Sequence, residues 1–199
     1  MFRRMCAPAL GLAAALFLAP MGAAQDDDIL DHVINSPPVQ SWQITGLRSS
    51  PRPIRAEGVL GDQAVRVRVT QASDQPWTIA GRMPIAGDIN RGDTILLAVW
   101  VRTHAPPEGR SQGVISALRV EQSTAPYTAI AQDSATAPDE WTMIYASGVA
   151  QQDYRGGTAN VSVHLAGAAQ TIDLGPAFVL NFGPDYDASR LPRNPPPEQ

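Results

Sequence analysis

From about residue 63 to residue 180 the chain runs in short alternating stretches. Val65, Val67 and Val69 alternate with Arg66 and Arg68; Leu118 and Val120 with Arg119 and Glu121; Val161, Val163 and Leu165 with Ser162 and His164. A period of two sends successive side chains to opposite faces, so each stretch predicts a strand with one buried and one wetter face. Thr94 to Val101 is apolar at nearly every position, which predicts a strand covered on both faces or one with an apolar ligand-facing side. Further strands are expected over Trp77–Met83, Tyr127–Ala131, Trp141–Ser147 and Thr171–Leu180. Asn90-Arg91-Gly92-Asp93, Pro106-Pro107-Glu108-Gly109, Ala137-Pro138-Asp139 and Arg155-Gly156-Gly157 punctuate them. The nearest approach to a helical pattern is a turn or two over Asp27–Ile34, and no repeat of about 20–50 residues is visible. About eight short strands separated by turn signals predict an all-β fold, a two-sheet antiparallel β-sandwich of jelly-roll type.

The two ends read differently. Arg3 and Arg4 precede an uncharged apolar stretch, Ala9 to Ala19, which ends in the small residues Gly22-Ala23-Ala24. That order is the pattern of a secretory signal peptide over residues 1–24, cleaved after Ala24. The stretch is shorter than the roughly 20 residues a membrane span needs, so no membrane span is expected after cleavage. Cys6 precedes the apolar stretch, which argues against a lipid anchor. The expected organisation is a signal peptide over 1–24, one β-sandwich domain over 25–190, and a Pro-rich tail over 191–199 built on Arg193-Asn194-Pro195-Pro196-Pro197. The expected location is periplasmic or secreted.

Cleavage alters the charge. The chain has 15 basic residues, all Arg, and 19 acidic ones, net −4; without Arg3 and Arg4 the balance is 13 to 19, net −6. No nucleic-acid partner is expected, because such a partner needs a basic stripe. Cys6 leaves with the signal, so no disulfide or thiol site remains, and stability rests on the core of the remaining 175 of 199 residues. No cofactor is expected. Asp26-Asp27-Asp28 leaves room for a structural calcium, although the EF-hand spacing is absent and three terminal acids are commonly just solvated.

The residues do not assemble a catalyst. There is no Gly-x-Ser-x-Gly elbow. His32, His104 and His164 fall in no metal-ligand spacing, and His164 reads as a surface or hydrogen-bonded histidine on the polar face of its strand. Glycoside hydrolysis needs two carboxyl groups facing each other; Glu121 lies on a strand face with no obvious second acid on a neighbouring strand. The chain is therefore expected not to be an enzyme. The aromatic residues say more, since rings can stack under the C–H face of a sugar while Arg, Glu, Gln and Asn take its hydroxyls. Trp42 and Trp141 read as core or strand-edge packing, whereas Trp77, after Gln75-Pro76, reads as a ring held rigid and partly exposed. Trp100 shares a strand face with Leu96, Ala98 and Arg102. Arg102, Arg119 and Glu121 are expected to meet on one sheet surface, either as a ligand-binding group or as a solvated Arg–Glu pair.

The order of segments carries a resemblance. Gly61-Asp62-Gln63-Ala64-Val65-Arg66-Val67 is followed by Gln75-Pro76-Trp77-Thr78-Ile79, then Ile89-Asn90-Arg91-Gly92-Asp93-Thr94 and the strand ending Val99-Trp100-Val101-Arg102. Glu140-Trp141-Thr142 comes later, and Gln170-Thr171-Ile172-Asp173-Leu174-Gly175 closes the series. From about Trp42 to Phe182 the chain resembles the galactose-binding-like jelly rolls that include the carbohydrate-binding modules attached to xylanases and related glycanases. The motifs mark a turn and a final strand, so they speak to fold more than to ligand. The resemblance implies non-catalytic recognition of a β-glycan polysaccharide or its oligosaccharides in a groove on a concave sheet. By position, Trp77, Arg102, Arg119, Glu121 and Tyr127 are its ligand-binding candidates. Such modules are commonly fused to a catalytic domain, and no such domain is expected within these 199 residues. The alternative is a cell-envelope structural or protein-interaction β-sandwich without sugar binding; there the Pro-rich tail would suit docking on an envelope protein partner.

Overall fold

The alternating stretches become strands of two antiparallel sheets. The structure, a computed structural model, describes residues 29–49 and 51–196; the expected signal peptide and Asp26-Asp27-Asp28 lie outside the described residues. Eleven strands are found there: β1 (Val33–Asn35), β2 (Gln43–Thr45), β3 (Pro53–Arg55), β4 (Gln63–Val69), β5 (Ala80–Pro84), β6 (Thr94–Ala105), β7 (Gly113–Gln122), β8 (Ala129–Ala137), β9 (Thr142–Val149), β10 (Ala159–His164) and β11 (Gln170–Asn181). One sheet has the order β3-β4-β11-β6-β9, with β1 also pairing β11; the other has the order β2-β5-β10-β7-β8. The fold is the expected two-sheet antiparallel β-sandwich.

Alternation decides which face each strand buries. Val65, Val67, Leu118, Val120, Val161 and Val163 all point into the space between the sheets and are essentially inaccessible, joined there by Ile95, Leu97, Val99 and Val101. Burying each such side chain contributes about 1.5–3 kcal/mol, which is how a chain without a disulfide holds two sheets together. The Thr94–Val101 stretch is covered on both faces. Its second face carries Leu96, which packs with Leu180 and Leu191 beside Val33, Phe178 and Phe182.

Several expectations are adjusted. The segment before residue 63, which holds Pro37, Pro38, Pro51 and Pro53 and in which no strand is expected, supplies β1, β2 and β3 as short edge pieces. The expected helical turns reduce to one 3-10 turn, Ile29–His32. Trp77 sits in a 3-10 turn, Pro76–Thr78, before β5 begins, and Tyr127 sits in a loop before β8. Residues 191–196 fold back on the six-stranded sheet. Leu191 is buried, and Asn194 accepts from the Tyr145 N–H (2.8 Å) and donates to the Tyr145 carbonyl (2.7 Å). That side chain satisfies part of the open edge of β9, a surface that would otherwise invite another strand.

The turn before β6 shows why its residues are what they are. Gly92 has φ +92°, the left-handed region that favours glycine. Asp93 Oδ2 accepts from the Asn90 N–H (2.8 Å) and from Asn181 Nδ2 (2.6 Å), tying the turn to the end of β11.

Candidate functional site

Chain order and sheet order part company between β6 and β7. They are consecutive in sequence, but β6 lies in the six-stranded sheet and β7 in the five-stranded one. Alternation places Arg102 and Arg119 each on the outer face of its own sheet, and those faces point away from each other. The expectation that Arg102, Arg119 and Glu121 meet on one surface is therefore corrected: Arg119 and Glu121 do, and Arg102 lies on the opposite side of the sandwich.

Trp77, Arg119, Glu121 and Tyr127 come together around one pocket of about 390 Å³, with Arg82, Pro126 and His164 completing its lining. Its floor is the outer face of β5, β10 and β7. Ser162 on β10 is in register with Arg82 on β5 and with Arg119 on β7, so the three form one row across neighbouring strands. Glu121 stands two residues along β7, opposite Asn160. At the other end His164 follows Ser162 on the same face. Inward-pointing Val161, Val163, Leu118 and Met83 anchor these strands in the core, so the floor sits on rigid elements.

The walls are two aromatic rings held by loops. Trp77 is 51% exposed and Tyr127 42%, in contrast to the buried Trp42. The Ala166 N–H donates to the Pro76 carbonyl (3.0 Å) and the Thr78 N–H to the Gln75 carbonyl (3.0 Å), which fixes the turn carrying Trp77 against the end of β10. The Trp77 ring stands edge-on to that of His164, centroids 6.4 Å apart. Tyr127 has φ +56°, a conformation that costs a non-glycine residue about 1 kcal/mol. Arg119 Nη2 donates to its carbonyl (3.0 Å) and holds it there.

Electrostatics on the floor are uneven. Arg119 Nη1 lies 2.7 Å from Glu121 Oε2, and the Glu121 side chain is almost wholly buried. Arg82 forms no ion pair with any described residue; its guanidinium lies 5.5 Å from the centroid of the Tyr127 ring. Arg82 Nε, Arg119 Nε and Ser162 Oγ are shielded from solvent without a hydrogen-bond partner among the described residues. Burial, and then the charges of Arg119 and Arg82, lower the His164 pKa to about 4. The imidazole is therefore neutral at neutral pH and can donate from one nitrogen and accept at the other.

Arg102 serves a different assembly. It donates to Asp173 Oδ2 (2.8 Å) and stacks over Trp141, 4.7 Å from the ring centroid. Sequence reasoning missed Arg82 and His164 as pocket members. His164 is buried, not on the surface. The usable signal was alternation itself: Arg82 stands between inward-facing Gly81 and Met83 on the strand that follows Trp77, and His164 shares the face of Ser162. Among the described residues, no group of three or more His, Cys, Asp or Glu is placed to hold a metal.

With this geometry in place, comparison with known proteins adds the fold's relatives. No family model matches the chain, and no curated protein matches it. Solved structures do. The C-terminal family 22 carbohydrate-binding module of xylanase 10B from Clostridium thermocellum aligns over 79% of this chain and 98% of its own, with TM-score 0.52 and 14% identity. The second N-terminal cellulose-binding domain of β-1,4-glucanase C from Cellulomonas fimi aligns over 76% of this chain and 92% of its own, with TM-score 0.52 and 15% identity. The N-terminal module-plus-xylanase structure of xylanase 10B from Clostridium thermocellum, complexed with xylohexaose, gives TM-score 0.54 at 13% identity over 79% of this chain, which spans only 30% of that one. At such identities the likeness establishes the architecture alone: a two-sheet jelly roll like that of these modules.

Proposed function

We propose that the chain is an exported, non-catalytic glycan-binding domain whose ligand, a β-glycan or its oligosaccharide, lies in the pocket on the five-stranded sheet. One observation carries this: two exposed rings, Trp77 and Tyr127, flank a floor of buried or half-buried polar groups from Arg82, Arg119, Glu121 and His164. Rings offer a sugar's C–H face an apolar platform, and the floor offers donors and acceptors for hydroxyls. Among the described residues Glu121 is the one carboxylate lining the pocket, and hydrolysis of a glycosidic bond ordinarily needs two, so the arrangement favours holding a sugar over cleaving it. Export rests on the signal pattern of residues 1–24. It accords with the fact that no helix among the described residues is long and apolar enough to cross a membrane.

The test is affinity electrophoresis through gels containing soluble xylan, β-glucan and other polysaccharides. Retardation by at least one polymer is expected. Trp77→Ala should weaken it by about 1–2 kcal/mol, five- to thirtyfold, while leaving the unfolding midpoint in place because the ring is half-exposed. Migration unaltered on every polymer overturns the proposal. The envelope-interaction reading draws on a different feature, an apolar hollow of about 380 Å³ on the six-stranded sheet lined by Val33, Leu96, Phe178, Leu180 and Phe182 among others. Retardation that Trp77→Ala abolishes assigns the function to the five-stranded sheet instead.

A further inference from the structure

The two outer faces of the sandwich carry the same cross-strand device with a different residue at its centre. On the six-stranded sheet, β4, β11 and β6 place Arg66, Asp173 and Arg102 in one row. On the five-stranded sheet, β5, β10 and β7 place Arg82, Ser162 and Arg119 in one row. In the first row the central carboxylate accepts from both arginines: Arg66 Nε at 2.7 Å, Arg66 Nη2 at 2.9 Å and Arg102 Nη2 at 2.8 Å. In the second row the centre is a hydroxyl with no partner. The acid nearest to hand, Glu121, stands outside the row and pairs only with Arg119.

We propose that the pocket selects anionic glycans, with the charged group of the sugar, a uronate carboxylate or a sulfate ester, taking between Arg82 and Arg119 the place that Asp173 takes between Arg66 and Arg102. This rests on the glycan-binding reading above and names the ligand class of that same pocket. The guanidinium fork suits a planar or tetrahedral oxyanion, bound by paired charge-assisted hydrogen bonds. Arg82 is the residue free to make them: it has no acid partner among the described residues, its Nε is shielded from water and unpaired, and it lies on the pocket floor against the Tyr127 ring. His164 lies in the same pocket, where burial first, and then the charges of Arg119 and Arg82, keep its ring neutral.

The experiment compares matched ligands on the full chain by isothermal titration calorimetry. Glucuronoxylan is set against the same polymer after chemical reduction of its carboxyl groups, and a sulfated soluble β-glucan against the same β-glucan before sulfation. At least one anionic polymer should bind tenfold or more tightly than its neutral match, with the advantage shrinking severalfold in about 0.3 M NaCl. The anionic arm that does so identifies carboxylate or sulfate as the preferred group. Arg82→Gln should bring the ratio of anionic to neutral affinity close to one, with folding checked by its thermal midpoint. Neutral polymers binding as tightly as their charged matches would overturn this inference and leave glycan binding standing. Failure to bind any of the four, and every polymer of the electrophoresis panel, would remove the reading beneath it.

Discussion

The Arg66–Asp173–Arg102 row and the Arg82–Ser162–Arg119 row teach what separates a structural ion cluster from the proposed binding site on the same scaffold. Net charge does not separate them, since each neighbourhood holds two arginines and one acid. Isolated unpaired atoms do not either: Arg102 Nε and Trp141 Nε1 on the six-stranded sheet also lack partners. The difference is where the acid stands. Asp173 is at the centre, fully buried, shared by both arginines and shut in by Trp141 over Arg102. Glu121 is at one end, so one arginine has an acid partner and the other points its charge at a pocket with exposed rings. A carboxylate in the middle of the row closes it; a serine leaves it open to a ligand.

The most forceful way to break the comparison is to make the closed row resemble the open one. Asp173→Ser removes the acid from a cluster in which burial raises its pKa while the hydrogen bonds and charges of Arg66 and Arg102 more than offset this and hold it below the usual carboxylate range. Losing one partner of a buried ion pair costs roughly 3 kcal/mol even when the arginines can turn toward water. For a domain of this size that is a fall of about 6–12 °C in Tm. Glycan affinity should stay unchanged, because Asp173 is on the other sheet. A Tm within about 2 °C of the parent would show that the closed row is not structural and that the contrast fails.

How much of this contrast the sequence discloses follows from what alternation can and cannot report. Period two correctly turns Arg66 and Arg68, Arg119 and Glu121, and Ser162 and His164 away from the core, because burial of Val65, Leu118 and Val161 fixes which face each strand turns inward. It also marks Trp77 as a ring at the end of a loop. What it cannot report is which strands are neighbours. Arg102 and Arg119 look like companions on consecutive strands, yet the chain crosses between sheets from β6 to β7. Arg82 looks isolated in sequence but is two strands away from Arg119, with Ser162 between them. The site is a property of strand order, set by long-range pairing of residues about 40 to 80 positions apart, and single-strand patterns carry no trace of it.

A second, smaller effect distinguishes the rows by the pH at which each loses stability. Between pH 6.5 and about 4 the unfolded chain protonates His164 and the folded chain does not, so stability contributed by the neutral ring is complete above pH 6.5 and is lost as the pH falls toward 4. A shift of this size would correspond to about 3 kcal/mol for a sealed ring, and to roughly half of that here because the ring edge faces the pocket. Asp173 behaves otherwise: its depressed pKa gives stability that is present above the ordinary carboxylate range and lost only as the pH falls below about 3.8. Urea midpoints measured from pH 7 to pH 4 should therefore decline less steeply in His164→Gln than in the parent, while Asp173→Ser should follow the parent's slope over that interval. Parallel slopes for parent and His164→Gln would show that His164 is not held neutral by burial and the pocket's arginines.

The smallest expected change in stability belongs to the reciprocal swap, Ser162→Asp, which gives the open row the centre that the closed row has. Placing a carboxylate there gains two charge-assisted contacts and costs its desolvation, and for buried ion pairs these nearly cancel. The thermal midpoint should accordingly move by no more than the equivalent of about 1 kcal/mol in either direction. Binding should move far more. A built-in carboxylate between Arg82 and Arg119 competes with the one a ligand would bring, so the tenfold preference for an anionic polymer over its neutral match should vanish while Trp77 and Tyr127 still offer their rings to a sugar. Should Ser162→Asp fold normally and keep the full preference, the arginines would not be acting as a row, and the likeness between the two faces of the sandwich would be one of arrangement without function.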